Sequence, residues 1–323
     1  MTGFLENSAP LDTQWRSIIL LGNNVASYKF SLGTALLKLG TEKTTISLEE
    51  LSLPFAQTIC NHLKTHEKQI TSTSSKFLEA CRKFNNEELT LDQLKEETLK
   101  RGFSNVIDAF HNVHRSEVCR FFTDTRKDNQ SITLTDNLFH LIQSDQHQNL
   151  IREVGSRWNL WETAISIGIS PHLLEIQHDP TSELLYIIKD NIERVDVTSC
   201  KDSLNGYQKG KCFYCDRYIT ILNGHEFSCD VDHFFPHVLS NLGFKGINQI
   251  WNLVLACQNC NRGGGGKFEQ LPHISFLTKL NNRNNFYIES HHPLRETIIN
   301  QTGSNPEQRR SFLQKRYDEA LSI

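Results

Sequence analysis

CFYC at residues 212–215 and CQNC at residues 257–260 are two cysteine pairs with the same CxxC spacing, separated by one long segment of the chain. Each pair presents two sulfurs at the separation that a tetrahedral ion with Zn–S bonds of about 2.3 Å requires, so together they predict one structural zinc site. The ligands of this predicted site are Cys212, Cys215, Cys257 and Cys260. The alternatives are two redox motifs or unrelated buried thiols. A redox CxxC opens the helix of a βαβ unit, and neither pair has that pattern around it.

Two strand-like segments lie between the cysteine pairs and beside the second one. SCDVDHFF at 228–235 alternates in polarity as a short strand does, and WNLVLA at 251–256 is a compact apolar run of strand length. They predict a β-hairpin whose long connection runs through residues 237–250. Because both strands lie close in sequence to a cysteine pair, a zinc ion would fix their relative register.

The first predicted strand ends in a carboxylate and an imidazole, Asp232 and His233, and Pro236 limits how far the strand continues. Adjacent strand residues point to opposite faces, so these two side chains can share one substrate only where the strand ends or bulges. Asp230 would share a strand face with Asp232 and would help to orient that carboxylate without binding the metal itself. His237 follows closely and is a further candidate for contact with phosphate.

The segments CFYC, VDHFFP and WNLVLACQNCN resemble the HNH endonucleases, over about residues 207–300. That family has a ββα-metal fold, often braced by four zinc-binding cysteines. The resemblance implies that His233 is the general base that activates water, and that Asp232 and Asn261 hold one catalytic Mg²⁺ or Mn²⁺ against the scissile phosphate. It also implies that Asn252 braces the loop that orients His233.

These implied roles agree with the chemistry of the residue types. Hydrolysis of a phosphodiester needs a base with a pKa near neutral, as imidazole has, and a hard cation that stabilises the charge developing at phosphorus. Asp and Asn supply oxygen ligands for Mg²⁺ or Mn²⁺, whereas thiolates suit Zn²⁺. The sequence therefore predicts two metals with separate ligand sets.

The glycine run Gly263–Gly266 departs from the family pattern, in which a helix carries Asn261. Each glycine costs a helix interior about 1 kcal/mol relative to alanine, so four in a row oppose a continuous helix. We expect a helix that is very short or displaced. The run is either a flexible surface loop inserted beside the site or a loop that approaches the phosphate backbone closely.

Length and composition are those of a globular protein. The 323 residues suffice for two domains, and 38% hydrophobic with 22% charged residues excludes a disordered chain. No basic N-terminal segment precedes an apolar region, and no run approaches the roughly 20 apolar residues of a membrane span, so we expect a cytoplasmic protein without membrane contact. Five of the nine cysteines lie outside the zinc site and are expected as reduced thiols.

The charge distribution favours the C-terminal part as the nucleic-acid-binding part. The net charge is −3, but the residues from Lys201 onward carry fourteen Lys and Arg against eleven Asp and Glu, a local +3. DNA affinity depends on cations that face the phosphates, not on a basic average. The candidate cations near the motifs are Lys211, Arg217, Lys245, Arg262, Lys267, Lys279 and Arg283, and those near the C-terminus are Arg309, Arg310, Lys315 and Arg316.

Residues 1–200 read as helical. Ser47 and Glu50 form a capping-box pattern at the start of one helix. Further helices are predicted at 13–39 with interruptions, 74–84, 91–101, 103–113, 134–142 and 150–167, and short strands are indicated at 131–134 and 173–177. The four tryptophans are assigned to the core.

The sequence thus predicts a mainly α protein with two domains. Residues 1–200 would form a helical targeting or partner-binding domain, and residues 201–323 a zinc-braced ββα-metal (HNH) nuclease domain with a C-terminal helical extension. The boundary is placed near 201–209, at the start of the motif block.

The predicted function is a metal-dependent DNA endonuclease. By family analogy it would act in restriction or antiphage defence, with the helical domain contacting a partner protein. A site with one catalytic ion cuts one strand, so a double-strand break needs a homodimer, two binding events or a partner. The alternatives are an effector subunit that is inactive without its partner complex, and a zinc module that binds nucleic acid without cutting it.

Overall fold

The computed structural model describes residues 10–21, 26–40, 43–70, 75–113, 116–168, 175–179, 182, 184–189, 193–197, 202–221, 226–263, 266–267 and 269–323. The chain forms two compact units, Met1–Ser166 and Ile167–Ile323. The sequence placed the domain boundary later, near 201–209, and residue 201 lies outside the described ranges. The described part is mainly helical with small antiparallel sheets, as predicted.

The first unit is built from helices around a small antiparallel sheet. Its helices are α1 Leu11–Leu21, α2 Tyr28–Leu39, α3 Leu48–Leu63, α4 Lys76–Asn85, α5 Leu91–Arg101, α6 Val106–Ala109, α7 Arg126–Asn129, α8 Asp136–Gln143 and α9 His147–Ile167, whose last residue falls past the boundary. Its strands are β1 Thr45–Ser47, β2 Asn112–Val113, β3 Ser116–Glu117, β4 Phe122–Thr125 and β5 Ser131–Leu134. The three-stranded sheet has the order β1-β5-β4.

Local sequence signals set several of these elements. The Ser47 side chain accepts a hydrogen bond from the Glu50 N–H, and the Glu50 carboxylate accepts one from the Ser47 N–H, which confirms the predicted capping box at α3. The strand predicted at 131–134 is β5. The helix predicted at 103–113 is wrong over most of its length. Only α6 is helical there, and the chain continues into β2, whose partner β3 follows after two residues.

Aromatic residues fill the core of the first unit. Trp15 stands edge-on to Phe121 with ring centroids 5.1 Å apart, and Phe30 lies 5.9 Å from both Trp158 and Trp161. All three tryptophans are buried, which confirms their assignment to the core. Offset and edge-to-face pairs of this kind add to the free energy of burial, so these rings stabilise the helical unit.

The second unit contains the predicted zinc and hairpin segments. Its strands are β6 Gln177–Asp179, β7 Leu184–Lys189, β8 Glu193–Asp196, β9 Cys229–His233 and β10 Leu253–Cys257. Its helices are α10 Asn205–Gln208, α11 Gln258–Arg262, α12 Ile274–Glu289, α13 Arg295–Thr302 and α14 Pro306–Ser322, with 3₁₀ turns at His237–Leu242 and Ile250–Asn252.

β9 and β10 pair antiparallel, which confirms the predicted hairpin. His233 faces Leu253 and Cys229 faces Cys257 across the ladder. The strand indicated at 173–177 overlaps a second sheet, β6-β7-β8, only at Gln177, and residues 173–174 lie outside the described ranges. The other two strands of this sheet were not predicted. Gln177 joins the hairpin connection through a bridge to Gln249.

The core of the second unit lies under the hairpin. Trp251 is fully buried, as predicted, and stands edge-on to Phe312 of α14. Arg283 of α12 is 1% exposed, and its guanidinium donates to the backbone oxygens of Ile250 and Trp251. Arg309 is similarly buried at 2%. Two of the predicted phosphate contacts are therefore wrong, because neither guanidinium can face a nucleic acid.

None of the helices in the described ranges combines the length and the apolar character needed to cross a membrane.

Candidate active site beside a four-cysteine cluster

The four predicted zinc ligands meet in one cluster. The sulfurs of Cys212, Cys215, Cys257 and Cys260 all lie within 4.8 Å of one another. The Sγ atoms of Cys215 and Cys257 are 3.8 Å apart, which is about the edge of a tetrahedron with four Zn–S bonds of about 2.3 Å. Burial and the neighbouring sulfurs raise the pKa of the Cys260 thiol, so a bound cation would favour its thiolate form. The geometry is compatible with a zinc ion.

The cluster ties the first cysteine turn to the hairpin. Cys212 begins a tight turn in which its carbonyl accepts from the Asp216 N–H at 3.0 Å, and its sulfur accepts from the Cys257 N–H at 3.3 Å. The Phe213 N–H donates to the Leu255 oxygen of β10. The cysteines therefore hold the start of the module against the strand that pairs with Asp232 and His233.

His233 is the last residue of β9, where it is buried beside the buried His178 and the exposed His237. Its ring centroid lies 5.1 Å from that of His178 and 5.5 Å from that of His237, and its Nε2 lies 3.1 Å from the Asn248 Oδ1. Burial, followed by the two neighbouring imidazoles, lowers the pKa of His233 to about 3. The imidazole is therefore neutral at pH 7. With the Asn248 oxygen as acceptor, the proton is on Nε2 and the lone pair is on Nδ1.

Asp232 is held by two donors on its two oxygens. The Tyr214 hydroxyl donates to Oδ2 at 2.6 Å, and the Lys267 ammonium lies 3.2 Å from Oδ1. Lys267 also donates to the backbone oxygen of His233 at 2.6 Å. Burial raises the pKa of Asp232, while the charge of Lys267 opposes that shift. The ammonium and the carboxylate are both buried, so each compensates the other's loss of hydration.

Asp232 and His233 line one cavity of about 230 Å³, although neighbouring residues of a regular strand point to opposite faces. The convergence occurs at the strand end, where Pro236 and the start of the following 3₁₀ turn line the same cavity. The remaining lining residues are Pro236, His237, Val238, Asn241, Lys267 and Glu269.

Asn252 is fully buried and ties together the chain that follows His233. Its Oδ1 accepts from the Phe235 N–H at 2.8 Å, and its Nδ2 donates to the Phe235 oxygen at 3.1 Å and the Ile247 oxygen at 2.8 Å. Its own backbone oxygen accepts from the Phe234 N–H. The Asn252 side chain therefore provides hydrogen-bond partners for buried backbone groups of Phe235 and Ile247, next to His233.

Asn261 lies beside a different carboxylate from the one expected. Its Nδ2 donates to Asp230 Oδ2 at 2.9 Å, and Arg262 donates to Asp230 Oδ1 at 2.5 Å. Among the contacts of the described residues, none joins Asn261 to Asp232. Asp230 does share the buried strand with Asp232, two residues away. The expected oxygen pair of Asp232 and Asn261 is therefore not assembled in this arrangement.

The donor atoms at Asp232 nevertheless suit a hard cation. A carboxylate oxygen of Asp232 and the backbone oxygen of His233 converge on one positive charge, that of Lys267. Mg²⁺ and Mn²⁺ prefer oxygen ligands of this kind. A divalent ion would fit beside Asp232 once the ammonium has moved, and Asn261 would have to turn from Asp230 to join it.

The glycine run brings Lys267 back to the site. α11 has only five residues, which confirms the expected short helix. A Cβ on Gly266 would lie 2.6 Å from the Asn259 oxygen and 2.8 Å from the Cys260 oxygen, too close for any side chain. The Lys267 N–H then donates to the Cys260 oxygen at 2.7 Å. Of the run itself, 264–265 lie outside the described residues.

Three residues at the site were not assigned to it from the sequence. Tyr214 lies inside the first cysteine turn, Asn248 in the hairpin connection, and His178 in β6, within the part predicted to be the helical domain. The His178 N–H donates to the Asn248 oxygen at 2.7 Å, so β6 helps to place the residue that contacts His233. Spacing within a motif gives no signal for such contacts. The predicted candidate His237 does line the cavity.

No protein-family model matches the chain, and neither does any curated protein or solved structure. The resemblance to HNH enzymes therefore rests on the residues and geometry described above.

Proposed function

We propose that the protein is a metal-dependent endonuclease of the HNH type that hydrolyses phosphodiester bonds of DNA. The observation that carries the proposal is the cavity at the end of β9. Asp232 and the neutral imidazole of His233 line it together, beside a buried cation, on a hairpin clamped by four cysteines. A general base and a cation-binding carboxylate on one rigid strand are what hydrolysis of a phosphodiester requires.

His233 acts as the general base. Its Nδ1 lone pair takes a proton from water as the water oxygen bonds to phosphorus and the bond to the leaving sugar oxygen breaks. Asn248 fixes the ring by accepting from Nε2. The pKa of about 3 belongs to the site without substrate, and a phosphate beside the imidazole raises it by favouring the imidazolium. The proton thus has a stable place on His233 during the reaction.

The other residues of the site would bind the metal ion or hold the backbone next to His233. Asp232 would hold Mg²⁺ or Mn²⁺, which supplies positive charge to the phosphorane and the leaving oxygen. Asn261 directly follows the cluster residue Cys260. Its side chain is hydrogen-bonded to Asp230, which lies two residues before Asp232 on β9. Asn252 keeps the turn after His233 in place through its three side-chain hydrogen bonds.

The biological setting follows by family analogy. One catalytic ion per site cuts one strand, so a double-strand break would need a homodimer or a partner. A role in restriction or antiphage defence, with the helical unit contacting a partner protein, completes the proposal.

Cleavage of supercoiled plasmid DNA tests this function. The zinc-loaded protein with Mg²⁺ or Mn²⁺ is expected to convert plasmid to the open circle, and His233→Ala is expected to lose this activity at unchanged zinc content. His140→Ala removes an exposed histidine of the first unit and should cut like the wild type. Equal cleavage by His233→Ala, or no cleavage by the wild type with either metal, would overturn the proposal.

A further inference from the structure

The Lys267 ammonium is hydrogen-bonded to Asp232 Oδ1 inside the site. The side chains of Lys267 and Asp232 are each 6% exposed, and their Nζ and Oδ1 atoms are 3.2 Å apart. The same ammonium lies 2.6 Å from the His233 oxygen. A buried lysine with two oxygen partners belongs to the site and is not a surface charge that happens to lie near it.

The backbone around Lys267 is built to place it there. Gly263 and Gly266 pass so close to the end of α11 that a Cβ on either would lie 2.6 Å from the Asn259 oxygen. The Gly266 N–H donates to the Gly263 oxygen and the Lys267 N–H to the Cys260 oxygen, both at 2.7 Å. Gly266 and Lys267 are therefore held against the end of α11, and the Lys267 side chain reaches the oxygens of Asp232 and His233. Positioning of Lys267 accounts for both described glycines of the run.

A divalent ion and this ammonium cannot hold the same oxygens at once. Mg²⁺ binds oxygen at about 2.1 Å, well inside the distances at which Lys267 now lies. Two cations that share one carboxylate oxygen and one carbonyl oxygen would also repel each other strongly in a buried site.

We propose that Lys267 is the built-in occupant of the Asp232 cation position, and that it competes with the divalent ion for the oxygens of Asp232 and His233. This inference rests on the proposed function in that it takes the divalent ion to bind at Asp232. Lys267 leaves Asp232 when the ion binds, and it has space to do so. It lines a second cavity of about 300 Å³, beside Tyr214 and Cys260, as well as the cavity at His233.

The competition has a consequence for loading of the site. Lys267 sets the metal concentration at which Asp232 exchanges an ammonium for a divalent ion. A substrate phosphate in the cavity attracts the released ammonium, so phosphate and divalent ion each favour binding of the other. In the absence of both, the ammonium of Lys267 balances the charge of the Asp232 carboxylate.

Mn²⁺ binding by the zinc-loaded protein without DNA tests the competition. Free Mn²⁺ is measured by its electron paramagnetic resonance signal during titration. Lys267→Gln keeps a hydrogen-bond donor but removes the charge, and it is expected to bind Mn²⁺ at least tenfold more tightly than the wild type. Lys267→Arg keeps the charge and should gain no affinity. Lys267→Met is a second neutral variant in case the glutamine disturbs folding, with zinc content as the check on both.

Lys279→Gln is the matched control. Lys279 lies in the same unit in an ion pair with the exposed Asp216, so the variant removes the same charge away from the site and should bind Mn²⁺ within twofold of the wild type. Equal or weaker Mn²⁺ binding by the neutral Lys267 variants, or no Mn²⁺ binding by any of the proteins, would overturn the inference.

The readout separates this inference from the nuclease proposal. Tighter Mn²⁺ binding by Lys267→Gln in a protein that never nicks plasmid would retain the competition and remove the proposed function. Plasmid nicking that depends on His233, together with unchanged Mn²⁺ affinity in Lys267→Gln, would retain the nuclease function and remove the competition.

Discussion

Replacing Asn252 by alanine tests how much the turn after His233 depends on one buried amide. The side chain is fully buried and makes three hydrogen bonds, two to Phe235 and one to Ile247. Alanine would leave the Phe235 N–H and two carbonyl oxygens without these partners, in a part of the core that water does not reach.

The magnitude follows from the number of bonds. A buried hydrogen bond contributes about 1 kcal/mol net, so the loss of three is expected to lower the free energy of unfolding of the second unit by about 3 kcal/mol. The Asn252 backbone bond to the Phe234 N–H would survive the change. The hairpin should therefore persist while the position of His233 loosens, and plasmid nicking should fall together with stability.

Release of zinc during urea unfolding measures the free energy of unfolding of the second unit alone, because the four cysteines all belong to that unit. A chromogenic chelator reports the released ion. Asn282→Ala serves as the control, since Asn282 is exposed on α12 and its loss should change stability by less than about 0.5 kcal/mol. An Asn252→Ala midpoint equal to that of the control would refute the reasoning.

Three further predictions follow from particular contacts. Cys257→Ser should lower the zinc content measured by atomic absorption and destabilise the second unit, and full zinc retention would contradict a four-cysteine site. Burial lowers the pKa of His111 to about 3, and its Nε2 accepts from the Phe121 N–H. Below pH 6.5 the unfolded chain therefore binds a proton that the folded chain does not, and the first unit should lose about 2 kcal/mol between pH 7 and pH 5 in urea unfolding followed by tryptophan fluorescence. His111→Gln keeps a hydrogen-bond acceptor and should remove this pH dependence of stability. If the stability of the variant and of the wild type fell in parallel with pH, His111 would not be its cause. Gly266→Ala would force a Cβ against α11 and move Lys267, so Mn²⁺ binding should tighten as in the neutral lysine variants, and an unchanged affinity would show that the loop tolerates the methyl group.

The elements that the sequence predicted well are those with local causes. The capping box at Ser47 needs only residues three apart, and α5 begins and ends where the pattern placed it, at Leu91 and Arg101. The hairpin of β9 and β10 follows from one segment that alternates in polarity, at 228–235, and one compact apolar run, at 251–256. The helix predicted at 103–113 was wrong at its end because Asn112 and Val113 pair as a strand with Glu117 and Ser116.

The sequence by itself predicted the four-cysteine cluster, because two CxxC pairs offer the four sulfurs that a tetrahedral zinc ion requires, and the structure brings these sulfurs together. It also placed Asp232 and His233 side by side. Only the tertiary structure decided what surrounds them: the ammonium of Lys267 on Asp232, the amide of Asn248 on His233, and His178 from a sheet that no motif announced. Such contacts join residues whose spacing along the chain carries no signal, and they form only when packing of the whole unit removes water from the polar groups and obliges them to find partners.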